Sequence, residues 1–217
     1  MNFDFIARHY NWIEKIIFRS DLEKFRSMNI ELIKDAKSIL LLGDGDGRFL
    51  EQVSKMGTEA QIISVDSSAK MINLSKIKVK TSHLNVEFNC SKIENFKPSE
   101  SFNPDLIIAH FFLDCFTYDE ALLILDRITR WAAADAKFII SDFSITKKVS
   151  SHRVYQKILT NIMISFFSLF CGISARILPN IPKIMTSSGW NCLSRKRSRH
   201  GFINSWIWQI EGYAKRP

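Results

Sequence analysis

The chain has 217 residues, of which 46% are hydrophobic and 24% are charged. This length and composition exclude a disordered chain and fit one domain with a substantial core. The formal net charge of +8 favours anionic partners, and the four cysteines form no Cys-x-x-Cys pair, so neither a zinc site nor a disulfide framework is expected.

Two helices are predicted before the first strand, over residues 5 to 18 and 21 to 36. Apolar residues such as Ile6, Ile13 and Ile17 recur there at helical spacing. The segment lacks the long apolar stretch and the small-residue cleavage site of a secretory signal. We therefore expect a cytoplasmic protein whose first 36 residues form a helical cover.

A glycine-rich loop follows the first predicted strand, residues 38 to 42. Gly43, Gly45 and Gly47 occupy every second position directly after this apolar run. Glycine allows the chain to turn sharply and lets its backbone touch a ligand without interference from a Cβ atom. A helix is expected to begin next, near Arg48.

Asp66 lies about twenty residues beyond this loop, at the end of the second predicted strand, residues 61 to 65. In a βαβ unit, a carboxylate at that distance reaches the hydroxyls of a bound ribose. The loop and the carboxylate together predict a nucleoside-binding pocket. A dinucleotide is the less favoured ligand, because its Gly-x-Gly-x-x-Gly fingerprint is not matched here.

The remaining pattern alternates strands and helices, which favours a mostly parallel sheet flanked by helices. We predict an α/β, Rossmann-like three-layer sandwich with seven strands, the last two forming an antiparallel pair. A single domain spans residues 1 to 217, with its core from 37 onward and 143 to 185 as a candidate substrate-side insertion. The further predicted strands are 85 to 89, 105 to 109, 137 to 142, 190 to 197 and 203 to 211, and the helices are 48 to 56, 68 to 78, 118 to 132 and 151 to 170.

Residues 158 to 175 contain no charged side chain. A membrane span must be considered there, but Asn161, Ser165 and Ser168 recur at steps of four and three, which predicts an amphipathic helix. Two interpretations stay open: a core helix lying on the sheet, or an apolar wall for the substrate that also touches lipid. The densest basic run, residues 194 to 200, is interpreted as a solvated edge hairpin, with an anionic surface as the alternative.

Three blocks resemble the class I S-adenosylmethionine-dependent methyltransferases, and the likeness runs from Phe5 to the C-terminus. Leu-Leu-Leu-Gly-Asp-Gly-Asp-Gly-Arg-Phe-Leu is similar to their glycine-rich motif, and Ser-Val-Asp-Ser-Ser-Ala-Lys-Met-Ile to their acidic-loop motif. Pro-Asp-Leu-Ile-Ile-Ala-His-Phe-Phe-Leu resembles the segment that ends their fourth strand. Among these enzymes, the small-molecule type, including the quinone-biosynthesis group, is the most similar.

The resemblance implies S-adenosylmethionine as the cofactor. Asp66 would bind both ribose hydroxyls, Met71 would pack near the adenine, and the loop backbone would meet the methionine portion. The resemblance also implies acceptor contacts for His9, Tyr10 and Arg19. The full set of implied cofactor contacts is Gly43, Asp44, Gly45, Asp46, Gly47, Asp66, Ser67, Met71, Ser91, Ala109 and His110.

Two positions depart from the family pattern. Most members carry an acidic residue two positions before the first glycine, where it helps to bind the methionine ammonium group, but this chain has Leu41. Asp44 or Asp46 is our candidate to replace it. The acidic residue expected after the third strand is also absent, in the stretch that contains Lys92.

Chemistry is expected at the carboxyl ends of the strands. His110 and Asp114 are the catalytic candidates there, because an acceptor hydroxyl must lose a proton and an unperturbed histidine titrates near neutral pH. His110 can instead only shape the pocket, and Asp114 can orient His110 or cap the following helix. Phe111 and Arg176 complete the predicted substrate contacts.

The sequence therefore predicts a methyltransferase acting on a small, apolar or lipid-like acceptor. Nucleic acid is not expected as the substrate, because base-methylating enzymes typically carry Asp/Asn-Pro-Pro-Tyr/Phe where this chain has Ala-His-Phe-Phe. Peripheral contact with lipid or with an anionic surface stays open, as does the oligomeric state. The alternatives are a noncatalytic cofactor-binding module, a nicotinamide-dependent oxidoreductase, and an enzyme that uses the same cofactor for another reaction.

Overall fold

The computed structural model describes residues 3 to 7, 12, 17, 18, 20 to 145, 151 to 198 and 200 to 210. Seven strands lie within these ranges: β1 (Ser38–Leu42), β2 (Gln61–Asp66), β3 (Asn85–Cys90), β4 (Leu106–His110), β5 (Lys137–Phe143), β6 (Trp190–Arg197) and β7 (Ile203–Ile210). They form one sheet in the order β3-β2-β1-β4-β5-β7-β6.

The sheet is parallel from β3 through β5, and β7 then pairs antiparallel with both β5 and β6. The central strands are apolar and buried on both faces, as expected for parallel strands covered by helices. This architecture confirms the predicted Rossmann-like fold with its C-terminal antiparallel pair.

Helices and short turns connect the strands. The helices are α1 (Asp21–Arg26), α2 (Arg48–Val53), α3 (Ala69–Lys78), α4 (Tyr118–Trp131), α5 (Ser151–Cys171) and α6 (Ile181–Ser187), and Ile30–Lys34 and Leu113–Cys115 form short 3-10 turns. Alternate residues of β1 join different hydrophobic clusters. Leu40 packs in the cluster that contains Leu125 of α4, whereas Leu41 packs in the cluster that contains Phe49 of α2. The sheet is therefore the middle of three layers.

The predicted helix over residues 21 to 36 is wrong, because the chain breaks at Asn29. This residue has a left-handed φ of 65°, and its side-chain amide donates to the Ser205 hydroxyl on β7 at 3.2 Å. Asparagine tolerates the left-handed conformation better than most residues. The predicted helix over residues 5 to 18 falls mostly outside the described residues, and helix α6 was not predicted at all.

Helix α5 has the predicted extent but does not lie in the core. Its buried side chains are Gln156, Thr160, Met163, Ile164 and Cys171. Within the described residues, α5 is the one helix that is both long enough and apolar enough to cross a membrane. Its inner face nevertheless packs against the domain, and the Gln156 amide donates to the His200 carbonyl at 2.9 Å.

Two glycines with similar backbone conformations allow a test of the loop packing. Gly47 has a φ of +81°, and a Cβ atom there would lie 2.5 Å from Ser75 Cα, whereas Gly57 has a φ of +70° with nothing within 4 Å. Gly57→Ala should lower the free energy of unfolding by about 1 to 2 kcal/mol, from backbone strain alone. Gly47→Ala should cost about 2 to 5 kcal/mol, because overpacking is added. Urea denaturation measures both, and equal losses would contradict the packing of α3 against the loop.

Candidate active site

The β1 loop and the end of β2 meet at the carboxyl edge of the sheet. Their register pairs Leu42 with Val65, and the Gly43 amide donates to the Val65 carbonyl at 2.9 Å. The Asp66 carboxylate then accepts the Gly45 amide at 3.1 Å and the Ser68 amide at 2.8 Å. A carboxylate has about four acceptor sites, so some remain for a ligand.

The three loop glycines have different environments. A Cβ on Gly43 would lie 2.5 Å from the Phe112 ring, and one on Gly47 would collide with Ser75, so the packing of the fold itself requires both. A Cβ on Gly45 would meet only Met71 Sδ, at 3.9 Å, although the residue has a φ of +64°. Gly45 is thus the loop glycine whose backbone is open to a ligand.

The two acidic residues of the loop serve different parts of the structure. Asp44 accepts the amides of Phe49 and Leu50 at 3.2 Å each, at the start of α2. Burial raises the pKa of Asp44 to about 7, against the opposing effect of these amides. Asp46 instead forms ion pairs with Arg48 at 2.8 Å and with Lys78 at 3.0 Å. Burial acts to raise the pKa of Asp46, but the two cations outweigh this effect and lower it.

A cavity of about 170 Å³ opens between the loop and the end of β4, and we name it the loop cavity. Eight of the predicted cofactor residues line it: Gly43, Asp44, Gly45, Asp66, Ser67, Met71, Ser91 and His110. Three do not. Asp46 points into its ion pairs, Gly47 packs on Ser75, and Ala109 is buried in the hydrophobic cluster that packs on α4.

His110 and Arg26 form the inner wall of this cavity. His110 is buried, and its ring packs edge-on against that of Phe49, with the ring centroids 4.8 Å apart. Neither nitrogen of the imidazole has a hydrogen-bond partner among the described residues. Burial, helped by Arg26, lowers the pKa of His110 to about 3, so the imidazole is neutral at physiological pH. Arg26 is itself buried, with its guanidinium 5.2 Å from the centre of the Phe111 ring.

A second cavity, of about 40 Å³, adjoins the first and shares Phe3, Phe111 and Cys115 with it. We name it the apolar cavity. Its wall is mostly aromatic and aliphatic, and its remaining polar side chains are Asp114 and Thr160. Thr160 is buried, and its hydroxyl has no hydrogen-bond partner among the described residues. A buried hydroxyl in that state can bond to a ligand.

The half-buried Asp114 lies beside a buried carboxyl group, that of Asp142 at the end of β5. The Asp114 amide donates to Asp142 at 3.2 Å. Burial and the neighbouring Asp114 charge raise the pKa of Asp142 well above its usual value. The predicted capping role for Asp114 is wrong, because Thr117 caps α4 in a reciprocal box with Glu120. Asp114 does not orient His110 either, since that ring has no described hydrogen-bond partner.

The predicted substrate contacts are only partly assembled. Phe111 lines both cavities and has an unusual left-handed φ of 53°. Arg176 lines neither, because its guanidinium donates to Ser168 on the exposed surface at 2.5 Å. His9, Tyr10 and Arg19 lie outside the described residues. Sequence reasoning missed Arg26 and Thr160, since neither belongs to a motif and only their burial distinguishes them.

The raised pKa of Asp44 predicts a pH-dependent stability. Between about pH 4 and pH 7 the folded state binds a proton that the unfolded state has lost, so this group's contribution falls as the pH rises. The free energy of unfolding of Asp44→Asn, relative to that of the wild type, should therefore increase by roughly 2 to 3 kcal/mol as the pH is raised from 5 to 8. Denaturant titrations at several pH values measure this difference.

Asp46→Asn is the matched control for this test. The pKa of Asp46 is lowered, so its stabilising contribution is complete at pH 5 and above, and the difference from the wild type should stay constant over the same range. Parallel stability profiles for Asp44→Asn and the wild type would contradict the raised pKa of the buried Asp44 carboxyl group.

Comparison with known proteins agrees with this site. Residues 33 to 186 match a family model described as a methyltransferase domain. A 71-residue segment is 35% identical to the ubiquinone biosynthesis O-methyltransferase of Bradyrhizobium diazoefficiens, covering 33% of this chain and 26% of that enzyme. A 135-residue segment is 25% identical to the carboxy-S-adenosyl-L-methionine synthase of Helicobacter hepaticus, covering 61% of this chain and 54% of the relative.

The fold is also similar to that of solved methyltransferase structures. The crystal structure of a S-adenosylmethionine-dependent methyltransferase from Clostridium acetobutylicum superposes with a TM-score of 0.67 at 13% identity, covering 94% of this chain and 99% of the other. The matched segments span only a quarter to a half of the curated relatives' length. Because the family model covers well over half of the sequence, the chain belongs to the methyltransferase-domain family.

Proposed function

We propose that this protein binds S-adenosylmethionine in the loop cavity and transfers its methyl group to a small, apolar or lipid-like acceptor in the apolar cavity. The observation that carries the proposal is the position of Asp66. Its carboxylate lines the cavity one strand away from the glycine loop and is held there by the Gly45 amide. A carboxylate so placed binds the two hydroxyls of a ribose.

The residues of the loop cavity fit the rest of this cofactor. Its amino-acid end carries an ammonium and a carboxylate group, and the cavity wall offers the Asp44 carboxyl group, whose ionisation a bound ammonium would favour, and the Arg26 guanidinium. Asp44 would supply the acid that Leu41 cannot, since the Leu41 side chain is buried in the core. When bound, the cofactor supplies an electrophilic methyl group on a sulfonium. Met71 and Ser91 would contact its adenine.

The apolar cavity fits an acceptor with a hydrophobic body and a polar handle. Phe111 and Phe143 provide flat apolar walls, whereas Thr160 and Asp114 can bond to a hydroxyl. The cavity is smaller than the roughly 150 Å³ site that holds a benzene ring in an engineered protein. An aromatic acceptor therefore requires side chains of α5 to shift, and Met163 is the most adaptable of them.

The reaction needs in-line geometry and one proton acceptor. The bound cofactor would supply its methyl group to the acceptor oxygen, and the protein would have to orient that oxygen and accept the hydroxyl proton. Orientation alone contributes roughly 7 to 11 kcal/mol to such a step. His110 is a weak base, because burial lowers its pKa to about 3. Asp114 lines the apolar cavity, where the acceptor would bind, so its position makes it our candidate for the proton acceptor.

The main alternative is a module that binds the cofactor without turning it over. It is favoured by Leu41 and Lys92, which stand where acidic ligand contacts are usual in the family. A third possibility, suggested by the likeness to a carboxy-S-adenosylmethionine synthase, is different chemistry on the same cofactor. Mass analysis of the products formed from methyl-labelled cofactor and a panel of small phenols distinguishes our proposal from both alternatives: a labelled acceptor supports our proposal, and its absence with tight cofactor binding favours the others.

Asp66→Ala tests the cofactor site. It removes charge-assisted hydrogen bonds worth about 1.5 to 3 kcal/mol, so the Kd for S-adenosylmethionine should rise about tenfold to a hundredfold. Asp105→Ala is a matched control, because Asp105 also accepts backbone amides, from Lys37 at 2.9 Å and Ser38 at 3.2 Å, but lies at the opposite end of the sheet. Calorimetric titration measures both, and an unchanged affinity for Asp66→Ala would overturn the assignment.

Asp114→Asn tests the proton acceptor. The change keeps the size of the side chain but removes its basicity, so kcat should fall by a factor of about 10² to 10⁴. The Kd for the cofactor should stay at the wild-type value, because Asp114 does not line the loop cavity. Steady-state kinetics with the best phenol of the panel measures kcat. A variant with wild-type kcat would show that the proton goes elsewhere.

A further inference from the structure

One face of helix α5 is apolar and exposed along its length. Val154, Tyr155, Ile158, Ile162 and Leu169 are each between 54% and 77% exposed. At 100° per residue these five side chains lie within about 100° of the helix circumference. We name this surface the α5 stripe. The buried side chains of α5 occupy the opposite side of the helix, so the stripe faces away from the domain core.

Further exposed apolar side chains lie near the C-terminal end of the helix. The ring of Phe5 stacks on that of Phe170, with centroids 5.8 Å apart and planes 7° from parallel. Phe5 is 75% exposed and Phe170 is 40% exposed. Ile177, just beyond the helix, is 77% exposed. Single exposed hydrophobic residues are common on protein surfaces, whereas an exposed apolar surface of this length, rimmed by polar residues, indicates a contact site.

The segment of the chain that carries the stripe is basic. From residue 143 to residue 210 the sequence contains ten lysine and arginine residues and neither aspartate nor glutamate. Lys157 is exposed on α5 itself, and Arg176 lies beside Leu169 through its hydrogen bond to Ser168. Two other anionic partners fit this surface less well. An acidic protein surface would pair with the cations but not cover the apolar side chains, and nucleic acid would also leave those side chains exposed to water.

The basic edge hairpin is attached to the same helix. The rings of His152 on α5 and His200 in the β6–β7 turn stack with centroids 3.8 Å apart, and Gln156 donates to the His200 carbonyl. Lys196 and Arg197, at the end of β6, are exposed. The hairpin therefore brings cations to the N-terminal end of the stripe, where they can meet phosphate groups while the stripe meets acyl chains.

We propose that the α5 stripe docks the protein on the surface of an anionic phospholipid bilayer, with α5 lying in the plane of the interface. The helix does not insert across the bilayer, because its inner face holds Gln156 and Thr160 against the domain. That inner face also lines the apolar cavity through Thr160 and Met163. Docking thus brings the wall of the apolar cavity to the membrane surface. The proposal concerns binding and does not depend on methyl transfer.

Vesicle sedimentation with the full chain tests this proposal. The wild type should bind vesicles of phosphatidylcholine and phosphatidylglycerol, bind pure phosphatidylcholine far more weakly, and lose binding as salt is raised. Ile158→Gln/Ile162→Gln should weaken partition at least about tenfold, because two exposed isoleucines no longer reach the acyl boundary. Lys157→Gln should weaken it about fivefold.

Matched variants elsewhere on the surface are the controls. Ile77→Gln/Leu123→Gln removes two side chains that are 69% and 71% exposed on α3 and α4, and Lys97→Gln removes an exposed cation. These variants should bind vesicles like the wild type, and the thermal unfolding midpoint of every variant should show that it is folded. Equal vesicle binding by the stripe and control variants would overturn the proposal. So would stripe variants that dissociate a dimer in sedimentation equilibrium without changing vesicle binding, because the stripe would then be an interface between copies.

Discussion

The parallel pairing of β1 with β2 is the constraint on which the site depends. This register allows the Gly43 amide to donate a hydrogen bond to the Val65 carbonyl. The loop then turns, and the Gly45 amide donates to the Asp66 carboxylate. A shift of one residue would turn Asp66 to the other face of the sheet. The same register buries the apolar side chains of both strands, so the forces that stabilise the core also fix the two halves of the cofactor site.

The cavities on either side of Phe111 divide the chemistry between polar and apolar surroundings. The loop cavity offers charged and hydrogen-bonding groups, among them Asp66 and Arg26. The apolar cavity offers aromatic walls with two polar groups, Asp114 and Thr160. A charged cofactor and a hydrophobic acceptor can therefore meet at one boundary. Helix α5 connects this boundary to the outside, since its inner face lines the apolar cavity and its outer face is exposed and apolar.

The sequence was sufficient to predict the sheet and the loop, because residues that are close together in the sequence indicate both of them. Apolar runs mark the strands, and the spacing from Gly43 to Asp66 marks the βαβ unit. Side chains that act through burial were not predictable in this way. Arg26 sits in an ordinary amphipathic segment, and nothing local indicates that Asn29 breaks that helix through a hydrogen bond to β7. The sequence leaves two roles open for His110, a base or a residue that only shapes the pocket, because no local pattern indicates the burial that lowers its pKa.

The most direct test of the site is a crystal structure of the protein with S-adenosylhomocysteine. We expect both ribose hydroxyls to lie within hydrogen-bond distance, about 2.7 to 3.0 Å, of the Asp66 carboxylate, with the sulfur atom facing the boundary near Phe111. A nucleoside bound elsewhere, or bound in the loop cavity with its ribose turned away from Asp66, would contradict the proposed cofactor site.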